Sequence, residues 1–234
     1  MRLDRYLSEA LGITRAQSKT LLQKGQVLVE GKVCKKGDTQ VTAENEVIAG
    51  GQRLGHEEFV YLMLNKPDGV VSASTDKKDT TVVELVGDAF PRRQLFPAGR
   101  LDKTSTGFVL LTDDGAFAHD ILSPRHHVRK VYEVLLDTPV TPAMIEGFQK
   151  GVTLADGSEM MPAELSPSPD EPCRCTVVLT QGVYHQIKRM FGVYDAGVNA
   201  LHRQALGGLA LDPALEPGQW RRITPEELAL LRQE

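Results

Sequence analysis

Gly99 and Gly107 bracket the segment Gly99-Arg100-Leu101-Asp102-Lys103-Thr104-Ser105-Thr106-Gly107, and the apolar run Phe108-Val109-Leu110-Leu111 follows at once. Glycine at each end permits tight or left-handed backbone that other residues resist. The apolar run reads as a buried strand. The chain is therefore expected to form a rigid loop that feeds directly into its core, with one acid, Asp102, at the junction. Working acids tend to sit at such places, but turn-capping is a common role for them too, so position alone leaves both readings open.

The chain has 234 residues, enough for one large domain and a small one. No apolar run approaches the roughly 20 residues that a membrane helix needs. The start, Met1-Arg2-Leu3-Asp4-Arg5, lacks the apolar centre of a signal peptide, and a cytoplasmic protein is expected. Cys34, Cys173 and Cys175 are an odd number at no metal-site spacing. Cys173 and Cys175 would share one face of a strand, but no second pair completes a zinc site. Reduced thiols and no bound metal are expected.

A net charge of −4 at first argues against a nucleic-acid partner. The distribution argues for one. Residues 1–36 carry eight basic side chains (Arg2, Arg5, Arg15, Lys19, Lys24, Lys32, Lys35, Lys36) against three acids (Asp4, Glu9, Glu30). Such asymmetry suggests a basic binding module on a less basic body, although a solvated charged face produces the same count.

The first segment has a readable plan. Leu3, Tyr6, Leu7, Ala10 and Leu11 follow helical spacing, and Gly12 stops that helix. Thr14 caps a second helix that carries Ala16, Thr20 and Leu21 and ends at Gly25. Val27-Leu28-Val29, Glu30-Gly31 and Lys32-Val33-Cys34 read as a hairpin. Arg15 and Lys19 share one helix face and can reach the same phosphate backbone. Over residues 1–48 this arrangement resembles the alpha-L RNA-binding module that is also found in a small-subunit ribosomal protein. The resemblance implies structured RNA, read mainly by shape and backbone, with Arg2, Arg5, Arg15, Lys19 and Lys24 as contacts.

Residues 49–58 (Ala49-Gly50-Gly51-Gln52-Arg53-Leu54-Gly55-His56-Glu57-Glu58) read as a polar linker to a second domain over 59–234. That domain opens with a core strand at Phe59–Leu64 and a turn at Asn65-Lys66-Pro67-Asp68-Gly69, with Lys66 expected to be solvated. Phe108–Thr112, Val128–Leu136 and Cys175–Leu179 read as strands. Asp113-Asp114-Gly115 leads into a short helix that ends near Leu122, and capping is preferred to metal binding for these acids. Further helices are expected from Thr141-Pro142, near Gln186–Tyr194, and from the capping box Thr224-Pro225-Glu226-Glu227. Residues 162–173 hold four prolines and no clear element. The fold class is α+β, with a mixed, mostly antiparallel sheet in the larger domain.

Gly-Arg-Leu-Asp-x-x-(Ser/Thr)-(Ser/Thr)-Gly is similar to the signature of the RsuA/RluA superfamily of pseudouridine synthases, and the resemblance makes Asp102 catalytic. Leu-Asn-Lys-Pro-x-Gly around Lys66 resembles the opening of that family's catalytic domain. The residues alone allow Tyr132, in Arg129-Lys130-Val131-Tyr132-Glu133-Val134, as a core aromatic. The resemblance has it stack on the target base, returning about 1–3 kcal/mol of the stacking that a flipped nucleotide loses. Gly182-Val183-Tyr184-His185-Gln186-Ile187-Lys188-Arg189-Met190 resembles a family stretch whose cation, here Lys188, pairs with the aspartate. Such a cation keeps an enclosed carboxylate ionised. Valine at 183 replaces an arginine common in relatives, and Arg189 is expected to serve RNA or structure. Leu201, in Leu201-His202-Arg203-Gln204-Ala205-Leu206-Gly207, corresponds to a leucine that packs on the other face of the base. Arg100 is a candidate to contact the phosphate backbone or to fill the gap left by the flipped base.

Ser123-Pro124-Arg125-His126-His127 offers two adjacent imidazoles, which point to opposite faces of an extended segment and cannot easily share a metal; RNA contact or a structural role is preferred. No Gly-x-Ser-x-Gly elbow and no phosphate-binding loop motif is present. The resemblance implies isomerisation of uridine in RNA without a cofactor. Asp102 would act at the sugar as nucleophile or charge stabiliser, or as base on its C2′ proton. Glycosidases generally use two carboxylates to activate water, whereas an isomerase must exclude it. The motifs look most like the RsuA-type branch, which implies 16S ribosomal RNA, free or in an assembling small subunit, and a monomeric enzyme. Large-subunit (23S) RNA as substrate, and a non-catalytic rRNA-binding assembly factor, are the alternatives.

Overall fold

The computed structural model describes residues 1–42, 44–55, 58–123, 126 and 128–232. The chain forms two compact units, one of Met1–Val60 with Gly87–Gln94 and one of Tyr61–Val86 with Leu95–Glu234.

The first unit begins with α1 (Leu3–Ala10) and α2 (Arg15–Gln23). Thr14 caps α2: its hydroxyl accepts from the Gln17 N–H at 3.1 Å, and the Gln17 side chain accepts from the Thr14 N–H at 2.8 Å. This is a capping box, which satisfies two otherwise orphaned donors. α2 turns Ser18 and Leu22 inward, while Ala16 and Thr20 are exposed. β1 (Val27–Val29) pairs with β2 (Lys32–Val33) as expected, and also with β3 (Val47–Ala49), which pairs with β4 (Gln52–Leu54). The core gathers Leu3, Tyr6, Leu7, Leu22, Val27 and Val47.

Residues 49–58 are therefore not simply a linker. Ala49 ends β3, Gln52–Leu54 is β4, and Gly50-Gly51 is the hairpin turn between them, with φ of 59° and 83°. Two consecutive positive-φ residues are what the tightest hairpin turn demands, and glycine supplies them without strain. His56 and Glu57 of that stretch lie outside the described residues.

In the second unit a nine-stranded sheet has the order β13-β5-β7-β11-β8-β10-β9. Its strands are β5 (Tyr61–Lys66), β7 (Thr106–Thr112), β8 (Lys130–Leu136), β9 (Glu164–Pro167), β10 (Arg174–Leu179), β11 (Val198–Leu206) and β13 (Trp220–Arg222). β6 (Phe96–Ala98) pairs with β7, and β12 (Leu209–Ala210) with β11. Only β7 and β11 run parallel among the paired strands described, over Thr106–Gly107 and His202–Arg203. The sheet is mixed and mostly antiparallel, as the sequence indicated.

Helices α3 (Gly115–Leu122), α4 (Pro142–Lys150), α5 (Gln186–Gly192) and α6 (Pro225–Leu230) complete the unit. The Asp114 carboxylate caps α3 by accepting from the Phe117 N–H at 2.9 Å, and also accepts from the Tyr61 hydroxyl at 2.6 Å. Phe108, Leu110, Met63, Phe117 and Ile121 lie in one buried cluster.

Three further expectations need correction. The proline-rich stretch 162–173 contains β9, because pairing with β10 at the sheet edge tolerates a terminal Pro167. Cys173 precedes β10 rather than sharing its face with the buried Cys175. Lys66 is not a solvated turn residue: it is the last residue of β5 and wholly buried. Among the described residues, no helix is long and apolar enough to cross a membrane.

Candidate active site

β7 is entered through the Asp102 turn, and glycine is required at its second residue. Gly107 has φ of 100°, and a Cβ there would lie 2.4 Å from the Arg203 carbonyl oxygen on the parallel strand β11. The backbones of β7 and β11 can approach so closely only because residue 107 has no side chain. Gly99, at the other end of the loop, has φ of 87°.

Between these glycines the loop is clamped by the residues that end β5 and follow it. The Ser105 N–H closes the turn onto the Asp102 carbonyl at 3.0 Å, and the Gly69 N–H donates to the Lys103 carbonyl at 3.0 Å. The Ser72 hydroxyl accepts from the Leu101 N–H at 3.0 Å and donates to the Leu101 carbonyl at 2.9 Å. The Lys66 ammonium donates to the carbonyls of Ser105 at 2.6 Å, Pro67 at 3.0 Å and Lys103 at 3.2 Å. Burial lowers the Lys66 pKa to about 8, while Asp68 and Asp102 oppose that shift. Lys66 is thus still mainly protonated at neutral pH, and its charge strengthens the hydrogen bonds it gives to these carbonyls.

Asp102 projects from this clamped turn with a quarter of its side chain exposed. Two groups from the start of α5 meet it. His185 Nε2 lies 3.2 Å from Oδ1, and Lys188 Nζ lies 3.7 Å from Oδ2. Lys188 also donates to Thr104 Oγ1 at 3.0 Å, so its hydrogen bond goes to the hydroxyl and its charge faces the carboxylate. The expected Asp102–Lys188 pair is thus brought together. The sequence carries no signal for the His185 contact: His185 is the left-handed residue just before α5, so helical spacing from Lys188 does not place it.

The register across the sheet assembles a row on one face: Lys66 on β5, Gly107 on β7, Arg203 on β11, Tyr132 on β8 and Val177 on β10 lie opposite one another in turn. Tyr132 and Leu201 are both buried, and Leu201 lies two residues before Arg203 on the same strand face. Arg203 is 2% exposed, donates from Nε to the Phe108 carbonyl at 2.7 Å, and leaves its Nη2 without a partner. Arg100 is exposed two residues before Asp102. Arg189 turns away to pair with Asp156.

The proposed RNA contacts lie in the first unit. Arg2, Arg5, Arg15, Lys19 and Lys24 are all exposed, with Arg2 paired to Asp4 at 2.8 Å and Arg5 to Glu9 at 2.7 Å. His126 Nδ1 lies 2.9 Å from Asp120 Oδ1; Pro124, Arg125 and His127 lie outside the described residues. Among the described residues, no group of three His, Cys, Asp or Glu is placed to hold a metal ion. The site offers one carboxylate held rigidly by its backbone and flanked by an imidazole and an ammonium. That is the equipment for acting on an electron-deficient carbon or an acidic proton.

Comparison with known proteins matches the family described as RNA pseudouridylate synthase to residues 60–192, and the S4 domain to residues 1–48. An uncharacterized RNA pseudouridine synthase, YtzG, of Bacillus subtilis is 39% identical, covering 100% of this chain and 99% of its own. Ribosomal small subunit pseudouridine synthase A of Escherichia coli K12 is 38% identical, covering 98% of this chain and 99% of its own. A crystal structure of a pseudouridylate synthase superposes with a TM-score of 0.70 at 35% identity, covering 99% of both chains.

Proposed function

Because the chain belongs to the RNA pseudouridylate synthase family, we propose that it converts one uridine of small-subunit (16S) ribosomal RNA to pseudouridine, with Asp102 as the catalytic carboxylate. The enzyme is an isomerase. The N1–C1′ bond of uridine breaks, uracil turns in the pocket, and C5 bonds to C1′; C5 gives up its proton and N1 ends protonated. No electrons and no groups enter or leave.

The observation that carries the assignment is the setting of Asp102: a turn clamped through Lys66, Gly69 and Ser72 presents its carboxylate to His185 at 3.2 Å and Lys188 at 3.7 Å. A carboxylate fixed in this way loses little entropy on meeting the sugar. Lys188 stabilises its charged form when a base covers the site. Tyr132 and Leu201 line the face that takes the uracil, and Arg100 contacts the backbone beside it. Relatives named ribosomal small subunit pseudouridine synthase A align over nearly the whole chain, which supports 16S RNA as the substrate. Residues 1–48 form the RNA-binding module, with Arg2, Arg5, Arg15, Lys19 and Lys24 on the phosphates, and residues 59–234 the catalytic domain. The enzyme acts as a cytoplasmic monomer on 16S RNA, free or in an assembling small subunit, and needs no cofactor.

Pseudouridine mapping on 16S and 23S transcripts, naked and in subunit particles, tests this with wild-type and Asp102→Asn protein. One new site in 16S RNA, absent with the variant, is expected. A site in 23S RNA moves the target, and no site on any substrate overturns the reading.

A further inference from the structure

Among the described residues, Tyr184 is the most exposed of the large hydrophobic side chains, at 74%. One face of its ring is already used: it stacks on the His185 imidazole at 3.8 Å between centroids and 17° between planes. With that much of the residue in water, the opposite face is open. An aromatic ring left so bare contributes little to the core and offers a face on which another ring can stack.

The turn that carries the ring is tightly built. Val183–Gln186 is a turn closed by the Gln186 N–H on the Val183 carbonyl at 3.1 Å, and His185, its third residue, has φ of 51°. Glycine or asparagine normally takes that position; histidine there stores strain of the kind that clusters at working sites. The Gln186 side chain locks the turn, accepting from the Val183 N–H at 3.2 Å and donating to Gln181 Oε1 at 3.1 Å. In this conformation the His185 imidazole has the Tyr184 ring stacked on its face and Asp102 Oδ1 3.2 Å from its Nε2.

We propose that Tyr184 is the stacking platform for a nucleotide adjacent to the target uridine, and so a specificity-determining residue of the reaction. The inference rests on the reading of Asp102 as the catalytic carboxylate. Extruding a base leaves its neighbours unstacked on one face, and enzymes of this kind read the flanking nucleotides as well as the flipped one. The target base belongs in the covered part of the site, where Tyr132 and Leu201 are buried. Tyr184 is too exposed for that role. It stands one ring away from the Asp102 contact, where the flanking base emerges. A base on the free face of Tyr184 completes a stack of base, phenol and imidazole, and the imidazole at its end is the one that lies 3.2 Å from the Asp102 carboxylate. Seating of the correct neighbour is thereby coupled to the geometry of the carboxylate.

The test uses the full chain and the transcript that wild-type protein modifies, 16S or 23S. Tyr184→Ala, Tyr184→Phe and wild type are compared by filter binding and by single-turnover pseudouridine formation. Tyr184→Ala should bind about 5- to 150-fold more weakly, the range of one lost base–aromatic stack, and Tyr184→Phe should restore binding. Once the modified uridine is mapped, the nucleotide on each side is replaced in turn by an abasic residue. One of these substrates should weaken wild type as Tyr184→Ala does and weaken Tyr184→Ala no further. Equal affinity of Tyr184→Ala and wild type, or losses that add in full with both abasic substrates, would overturn the proposal. Product from Asp102→Asn would instead sink the catalytic assignment, an outcome separate from either.

Discussion

The Lys66 ammonium donates to the Ser105 carbonyl at 2.6 Å, from a position with no exposure to solvent. It also reaches the Lys103 carbonyl at 3.2 Å, so one side chain from the end of β5 spans the turn that presents Asp102. Its third acceptor is the Pro67 carbonyl at 3.0 Å, so one ammonium ties three carbonyls together. A buried charge is ordinarily costly. Here the cost holds the Asp102 turn in one conformation.

That cost should be visible in the pH dependence of stability. Burial sets the Lys66 pKa at about 8 in the folded protein against 10.5 ordinarily. The native state therefore loses the proton first, and unfolding takes one up between about pH 8 and 10.5. Where the unfolded state binds more protons, stability rises with pH. Urea unfolding of wild type at pH 7.5 and pH 10 should show this group's contribution rising by about 1–3 kcal/mol. Lys66→Met should be less stable at both values and should lack that part of the rise. Identical slopes for the two proteins would mean that Lys66 titrates normally.

Asp102→Asn keeps the size of the side chain beside His185 and removes the charge that faces Lys188. Pseudouridine formation should fall by about 10²–10⁴-fold or more, with RNA affinity within a few-fold of wild type. A loss of affinity equal to the loss of rate would make Asp102 a binding residue, and single-turnover kinetics separate the two.

What the sequence made legible was mostly local. Thr14, Asp114, Thr141 and Thr224 announce their helices because a cap and its helix lie within one turn of chain. The burial of Lys66 could not be read in this way, since its acceptors lie 37 and 39 residues further on. β4 was hidden because Gly50-Gly51 reads equally well as linker and as hairpin turn. β11, Val198-Asn199-Ala200-Leu201-His202-Arg203-Gln204-Ala205-Leu206, lacks clean alternation because bulges interrupt its register with β8 and polar residues face both sides. In the site, the motif carrying Asp102 and the helix carrying Lys188 were both legible. The His185 contact depends on a left-handed residue that no local pattern announces.

Gly107→Ala should be among the most damaging small substitutions in the chain. The new Cβ would stand 2.4 Å from Arg203 O and 2.7 Å from Arg203 N, both backbone atoms that cannot step aside, at φ of 100°. A loss above about 4 kcal/mol is expected, a fall in melting temperature on the order of 8–16 °C for a chain of this size. Gly115→Ala is the control: it opens α3 and has nothing within 4 Å of the added methyl. That change should be neutral or stabilising by up to about 1 kcal/mol. Similar melting temperatures for the two variants would show that β7 and β11 can separate without cost.

Arg15 and Lys19 lie four apart on α2 and are exposed, whereas Arg2 and Arg5 are engaged by Asp4 and Glu9 at 2.8 and 2.7 Å. Exposed pairs of this kind are weak, typically worth about 0.2–1 kcal/mol, but a phosphate that recruits Arg2 or Arg5 must still displace a carboxylate. Arg15 and Lys19 should therefore supply more of the counterion release. For Arg15→Ala with Lys19→Ala, the plot of log affinity for the rRNA transcript against log salt should become shallower by about 1.4–1.8, some 0.7–0.9 for each lost phosphate contact. Arg2→Ala should change the slope by less than either single substitution. An unchanged slope in the double variant would remove α2 from the interface and shift the search for phosphate contacts to Lys24 and the β1–β2 hairpin. A slope that drops equally for Arg2→Ala would show that RNA displaces Asp4 as readily as water.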